Sequence, residues 1–356
     1  VEAGAFGREA YILTGYFNIP KILELTLHDG VDPRTGKQLG PKTGDPRECA
    51  TFDELYAAFE RQLRHFIDIK INGNNIIDRL FAREMPAPFL SLFIDDCIAA
   101  GRDYHAGGAR YNTSYIQGVG LGTITDALSA IQYHVFDNGA VSMDALLDAL
   151  DRDFGDDDGL RDQLVHVTPR YGNDDDRADA LTTRVFETYF AAVDGRPNAR
   201  GGTHHIDLLP TTCHVYFGSV CGALPDGRRA GQPLSEGISP VQGADRHGPT
   251  AVVKSAAKLD HLRTGGTLLN QKFSPHLLAV EEGRSKVAHL VRTYFRMDGH
   301  HIQFNGIDAA SLRAAQQNPE AHRDLIVRVA GYSDYFVDLS EDLQNEIILR
   351  TEHEGP

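Results

Sequence analysis

The sequence predicts an α/β chain with many helices and few strands. Two observations carry this reading. Amphipathic stretches with start and stop signals fill most of the first 194 residues. After Gly195 the texture changes, and short strand-like runs alternate with turns and shorter helices. The chain has 356 residues, enough for two domains of ordinary size or one large α/β domain with a well-buried core.

The elements follow in order. A first helix is predicted over about 20–28, with Pro20 at its first position and a stop at Gly30. Residues 30–50 are a Gly/Pro-rich loop. Thr51 and Glu54 make a capping box that opens a long amphipathic helix, its apolar stripe being Leu55, Phe59, Leu63, Phe66, Ile67 and Ile71. A further helix is expected over 88–100. The Gly-rich stretch 107–122 reads as a lead into a helix reaching about Val135. Residues 142–194 read as helical, broken near Gly155 and at 169–172. The acidic runs 156–158 and 174–176 fall at helix starts, where they complement the dipole. Strands are predicted at 211–217, 268–273, 301–305 and 325–329. Asp308 and Ser340 read as N-caps of the last two helices, which run through Gln317 and to about Arg350.

Composition excludes several classes. Lys and Arg number 35 against 50 Asp and Glu, a net charge of −15, which argues against a nucleic-acid partner. No apolar run reaches the roughly 18 residues that a membrane span needs. The first residues carry neither the basic nor the apolar part of a secretory signal. The four cysteines form no CxxC, so neither a zinc site nor a disulfide framework is expected, and a reducing cytoplasm is the expected location.

Some segments carry candidate chemistry. In 328–336 (Arg-Val-Ala-Gly-Tyr-Ser-Asp-Tyr-Phe) a strand-forming run is broken by Gly331. In an arbitrary protein this is a bulge or tight turn that uses glycine for positive φ. The sharper alternative is a backbone radical, since only glycine lets a Cα radical between amide donor and carbonyl acceptor become planar without a side-chain clash. Residues 226–240 have no periodicity and in isolation read as a structured surface loop. Gly118, Gly120 and Gly122 lack the spacing of a phosphate cradle. The pairs His204-His205 and His300-His301 each offer at most one ligand, because neighbours on a strand face opposite ways, and no metal is expected. Glu2 alone would be a solvated carboxylate.

Together these pieces resemble the C-terminal half of a glycyl radical enzyme, the family of pyruvate formate-lyase and the radical dehydratases. The resemblance rests on 328–336, close to the chain end, on 226–240, 248–255 (Gly-Pro-Thr-Ala-Val-Val-Lys-Ser) and 264–273 (Thr-Gly-Gly-Thr-Leu-Leu-Asn-Gln-Lys-Phe). Segments 110–113 (Arg-Tyr-Asn-Thr) and 295–305 (Phe-Arg-Met-Asp-Gly-His-His-Ile-Gln-Phe-Asn) add to it. It implies Gly331 as the radical site. The family motif Gly-Cys-x-Glu is matched at its last two positions by Val1 and Glu2, which implies Glu2 as proton acceptor and donor. The thiyl cysteine would then immediately precede Val1, so the chain is expected to lack an N-terminal half and to be inactive as it stands. The run after Ala3 (Gly-Ala-Phe-Gly-Arg-Glu-Ala-Tyr-Ile-Leu-Thr-Gly-Tyr-Phe-Asn-Ile-Pro) is most similar to the branch that dehydrates trans-4-hydroxy-L-proline. In that branch Tyr16 and Thr211 match positions that line the substrate pocket; Ala5 departs from it where a second cysteine is frequent.

The implied architecture is part of a ten-stranded α/β barrel wrapped by helices. Residues 1–230 would belong to the barrel domain and 231–356 to the glycine radical domain. The implied chemistry is radical dehydration to 1-pyrroline-5-carboxylate, with no cofactor or metal held by the chain. A partner activase using S-adenosylmethionine and an iron–sulfur cluster would install the radical, and the enzyme would be a homodimer acting on a small molecule. The alternatives are another glycyl radical dehydratase, a formate C-acetyltransferase-like lyase, or a non-catalytic fragment or split subunit.

Overall fold

The computed structural model describes residues 3–4, 6–155, 158–209 and 211–353. Strands β1 (Ala3–Gly4) and β2 (Glu9–Asn18) form an antiparallel pair, and β2 runs directly into α1 (Ile19–Leu27). Asn18 makes the change of direction: its side chain accepts the Lys21 N–H at 3.1 Å, and Pro20 fills the first turn, where no amide donor is needed. The loop that follows holds a small hairpin, β3 (Val31–Asp32) and β4 (Lys37–Gln38). The long helix α2 (Phe52–Glu84) starts as expected: Thr51 Oγ1 accepts the Glu54 N–H at 3.2 Å. The Glu54 carboxylate reaches back one residue further than a capping box requires, to the Ala50 N–H at 2.7 Å. Leu55, Phe59, Leu63, Ile67 and Ile71 are buried, whereas Phe66 lies at the margin.

One expected helix over 88–100 is two, α3 (Pro88–Ser91) and α4 (Asp95–Ala100). Ile94 interrupts them in extended conformation and buries its side chain against Ala10, Cys97 and Tyr104. A larger correction concerns 107–122, which contains a long strand, β5 (Tyr111–Val119). Its glycine-rich sequence hid it. Gly118 is there because a Cβ would meet Tyr189, Leu208 and Ile19 at 2.8, 2.9 and 3.2 Å. The following helix α5 (Leu121–Ile131) is buried on all sides and ends in a widened turn over 132–137. Then come α6 (Met143–Asp151), α7 (Asp158–Val167) and α8 (Asp176–Val193), separated where the sequence breaks them. Asp175 caps α8 by accepting the Arg177 N–H at 3.0 Å.

Strand β6 (His204–Asp207) precedes the second large correction. Residues 211–217, rich in β-branched and aromatic side chains, are not a strand; they enter α9 (Cys213–Ser219), which buries His214 and packs Val215 against the C-terminal part of the chain. Tertiary packing here overrides propensity. After an irregular but largely buried stretch come α10 (Pro249–Ala256), β7 (Leu269–Phe273), α11 (Pro275–Ala279), α12 (Glu281–Arg296) and β8 (Ile302–Asn305). The last segment holds α13 (Ala309–Gln317), the hairpin β9 (Ile326–Arg328) and β10 (Ser333–Tyr335), α14 (Glu341–Leu349) and β11 (Glu352–His353). Asp308 caps α13 through the Ser311 N–H at 2.6 Å, while Ser340 caps α14 by position without a side-chain bond.

The sheets explain how these pieces position a site. β2, β5 and β6 are parallel neighbours, and a parallel bridge between Leu208 and Thr267 leads to β7, which pairs in parallel with β8. Five parallel strands therefore follow one another as β2-β5-β6-β7-β8, the arrangement of an α/β barrel wall. Helices cover one face: Tyr189 of α8 donates to the Ile116 carbonyl at 2.9 Å, and Gly118 lies under the same ring. The other face carries Tyr11, Thr113, Tyr115, Gln117 and Asp207. At its far end β7 also pairs with β11, so that Lys272 has Asn305 on one side and Glu352 on the other.

Candidate active site

A β-bulge decides what the face opposite the helices presents. Leu13 pairs with Tyr115 and Tyr16 with Gln117, so two residues of β2 oppose one of β5. Gly15 in the bulge has φ +118°. The extra residue turns Tyr16 onto the face that Tyr11 and Leu13 already occupy; without it, alternation would send Tyr16 to the helix side. Helix α2 holds the bulge from behind. Lys70 Nζ donates to the Thr14 carbonyl at 2.9 Å, and Asn74 donates to Thr14 Oγ1 at 2.9 Å. Burial pushes the Lys70 ammonium below its ordinary range.

The sequence singled out Tyr16 and Thr211, far apart along the chain, and the fold brings them together. Their hydroxyls lie 3.4 Å apart, Tyr16 half-buried and Thr211 exposed. Tyr16 also lies against Cys213, whose thiol is pushed up by burial and held back by that hydroxyl. Further down the same face is a group that sequence reasoning missed. The Tyr11 hydroxyl donates to Asp207, and the Tyr11 and Tyr115 rings stack with centroids 4.0 Å apart. Thr113 and Tyr115 both donate to Glu9, Tyr115 at 3.3 Å. Asp207 is fully buried, and that burial raises its carboxyl to about 7, against the opposing Tyr11 hydrogen bond. The period-two pattern Thr113, Tyr115, Gln117 was the available signal, masked by the flanking glycines. Glu2 lies outside the described residues.

Gly331 sits at the tip of the β9–β10 hairpin. Val329 N–H donates to the Tyr332 carbonyl at 2.9 Å, closing a two-residue turn over Ala330 and Gly331. Gly331 has φ +79°, the value a turn needs at this position, and it is exposed with open space where a Cβ would be. The hairpin is held tightly from behind. Asn305 of β8 bonds both backbone groups of Arg328 at 2.7 Å. Arg350 donates to the Val329 carbonyl at 2.9 Å and grips Glu346 through two bonds at 2.8 and 3.0 Å. Burial would raise the Glu346 carboxyl, but Arg350 and His214, the latter 3.5 Å away, outweigh it and hold it well below the usual carboxylate range. Val215 of α9 packs into the cluster of Val327, Val329, Phe336 and Ile347. One short helix thus has Thr211 just before its start and the Gly331 hairpin against its side. Among the described residues no group of three or more His, Cys, Asp or Glu side chains is placed to hold a metal ion, and no helix is long and apolar enough to cross a membrane.

Known proteins share this fold. Residues 1–218 match the family model for pyruvate formate lyase-like proteins, and residues 234–337 match that for the glycine radical. The chain is 57% identical over 352 residues to trans-4-hydroxy-L-proline dehydratase of Clostridioides difficile, covering 99% of this chain and 45% of that protein. It is 38% identical over 360 residues to (2S)-3-sulfopropanediol dehydratase of Klebsiella oxytoca, covering 99% and 44%. Among solved structures, hydroxyproline dehydratase from Clostridioides difficile with trans-4-hydroxy-L-proline bound superposes with a TM-score of 0.97 at 56% identity, over 99% of this chain and 45% of that one. The glycerol-bound B12-independent glycerol dehydratase from Clostridium butyricum gives 0.94 at 42% identity, over 98% and 44%. The chain therefore spans less than half the length of these relatives.

Proposed function

The chain belongs to the pyruvate formate lyase-like family of glycyl radical proteins, and on that premise we propose that it is the C-terminal part of a radical dehydratase acting on trans-4-hydroxy-L-proline. Gly331 holds the resting radical, installed by a radical S-adenosylmethionine activase. Hydrogen transfer from a cysteine immediately before Val1 to the Gly331 Cα would leave a thiyl, which takes a hydrogen atom from a substrate carbon. The C4 hydroxyl then leaves with a proton as water, and the product radical recovers its hydrogen from the thiol, giving 1-pyrroline-5-carboxylate. Glu2 carries the proton. The Tyr16 and Thr211 hydroxyls, 3.4 Å apart, offer two adjacent hydrogen-bonding groups to orient a hydroxylated substrate. The observation that carries the substrate is the gap between 57% identity to a hydroxyproline dehydratase and 38% to a dehydratase for another substrate.

The test joins the N-terminal part of the Clostridioides difficile protein, through its Gly-Cys, to this chain. The chimera is activated without oxygen, examined by electron paramagnetic resonance, and given trans-4-hydroxy-L-proline. A glycyl doublet with release of 1-pyrroline-5-carboxylate is the expected result. A doublet without turnover would overturn the substrate, and no doublet under verified activation would overturn the radical reading.

A further inference from the structure

Beneath the Gly331 turn, a single buried side chain addresses both amide groups that flank the glycine. Gln303 of β8 is 6% exposed. Its Oε1 accepts the Gly331 N–H at 3.2 Å and the Arg328 Nε–H at 2.9 Å. Arg328, oriented by that bond, donates from Nη2 to the Gly331 carbonyl at 3.2 Å. On its other side the Gln303 amide donates to Asn270, and Asn270 donates to the buried Glu236, which also accepts from Ser239 at 2.6 Å. Gln303 is thus fixed from below by a polar chain running to the 226–240 segment. In a set of buried groups this well connected, the orientation of one amide is not free to vary.

The chemistry of a Cα radical gives the arrangement a meaning. The unpaired electron is shared between a donor, the amide nitrogen, and an acceptor, the carbonyl. An oxygen accepting the N–H makes the nitrogen a better donor. A guanidinium bonded to the carbonyl makes it a better acceptor. Both polarisations act in the stabilising direction at Gly331; Gln303 makes the first and, with Ser333, orients the arginine that makes the second.

We propose that Gln303 is a positioning residue for the radical on Gly331, acting directly on its N–H and through Arg328 on its carbonyl. This rests on the reading of Gly331 as the radical site. The test compares Gln303→Leu, Gln303→Glu and Asn305→Ser in the activated chimera. Leucine removes the acceptor. Glutamate keeps an oxygen facing both the Gly331 N–H and Arg328 but gives up the donor to Asn270. Serine at 305 loosens the hairpin at Arg328 without touching Gly331.

For Gln303→Leu the doublet should change its splitting, and the radical should decay anaerobically about fivefold faster, the factor that one ordinary hydrogen bond is worth. Gln303→Glu should decay more slowly than Gln303→Leu, because an accepting oxygen still faces the Gly331 N–H. Asn305→Ser should lower the melting temperature with the spectrum unchanged. A parent-like spectrum and lifetime in Gln303→Leu would overturn the proposal. So would a spectral change in Asn305→Ser equal to that in Gln303→Leu, because the effect would then be loosening of the hairpin alone. If Gln303→Leu does not fold, Gln303→Met, which also removes the accepting oxygen, takes its place with the same two outcomes. A doublet that survives Gly331→Ala fails the radical reading instead, and is distinguished by that variant alone.

Discussion

Gly331 illustrates how little a single position needs for the role proposed for it. Nothing lies within 4 Å of the point where a Cβ would stand, so alanine fits sterically, and only the backbone φ of +79° opposes it. Gly331→Ala should therefore fold and lose about 1–2 kcal/mol, the cost of a left-handed non-glycine residue. It should also abolish the doublet in the activated chimera. Calorimetry and electron paramagnetic resonance on one sample check both halves. Asp207 gives a second expectation, in pH. Its carboxyl is raised to about 7 from the ordinary 3.8, because burial disfavours the charged form. A raised carboxyl contributes stability that is complete below its unfolded value and is lost as pH rises through its folded value. Asp207→Asn should thus be least favourable near pH 4. It should gain on the parent, by on the order of a few kcal/mol, by pH 8. Melting curves across that range would refute the assignment if the difference stayed flat. Gly331, Tyr16 and Thr211 could be singled out from the sequence because they sit in recognisable segments, and the fold sets the Tyr16 and Thr211 hydroxyls 3.4 Å apart. Asp207, Tyr11 and Gln303 could not be, since a lone Asp, Tyr or Gln declares nothing until strands from distant parts of the chain bring it to a partner.

At the scale of elements, β2 and its bulge matter most to the face opposite the helices. Gly15 has φ +118°, and a Cβ there would meet Lys70 Nζ at 2.5 Å. Gly15→Ala should shift the bulge and with it Tyr16. In the chimera the Michaelis constant for hydroxyproline should rise about tenfold, the worth of a displaced hydrogen bond to a bound substrate, with the glycyl doublet intact. An unchanged Michaelis constant would separate the bulge from substrate binding. In β5, Gly118→Ala should destabilise by roughly 1–3 kcal/mol through overpacking against Tyr189, Leu208 and Ile19, and thermal unfolding measures it. These elements also mark where sequence patterns succeed and fail. Helices α1, α2, α8 and α13 were legible from caps and apolar spacing, because those signals are local. β5 was hidden by glycines whose reason is close packing from other segments, and 211–217 carried strand-forming residues into a helix because burial of His214 and Val215 outweighed preference. β7, β8 and β9 were found as short strand-like runs bounded by turns.

At the scale of the whole molecule, helices cover one side of the five-strand wall, and apolar side chains stand exposed on α2, α3 and α4, among them Ile76, Ile77, Phe89 and Ile98. Surfaces of this kind mark contact sites. By itself the chain should bind an apolar-surface dye and self-associate, and Ile77→Lys with Phe89→Lys should lower both by light scattering and dye titration. No count of strands in the sequence could have revealed the wall, since its closure from β6 to β7 rests on one bridge between Leu208 and Thr267. The ladder at Lys272 has a further consequence. Asn305 and Glu352 flank that one residue, so everything between them leaves and rejoins the sheet at the same rung, about 10 Å apart at two strand spacings. In genetic terms the Gly331 region is a cassette. A bridge of about six residues could close the gap, and the region could be exchanged between relatives in which, besides the two attachment points, its contacts to His214, Val215, Gln303 and Asn305 are matched.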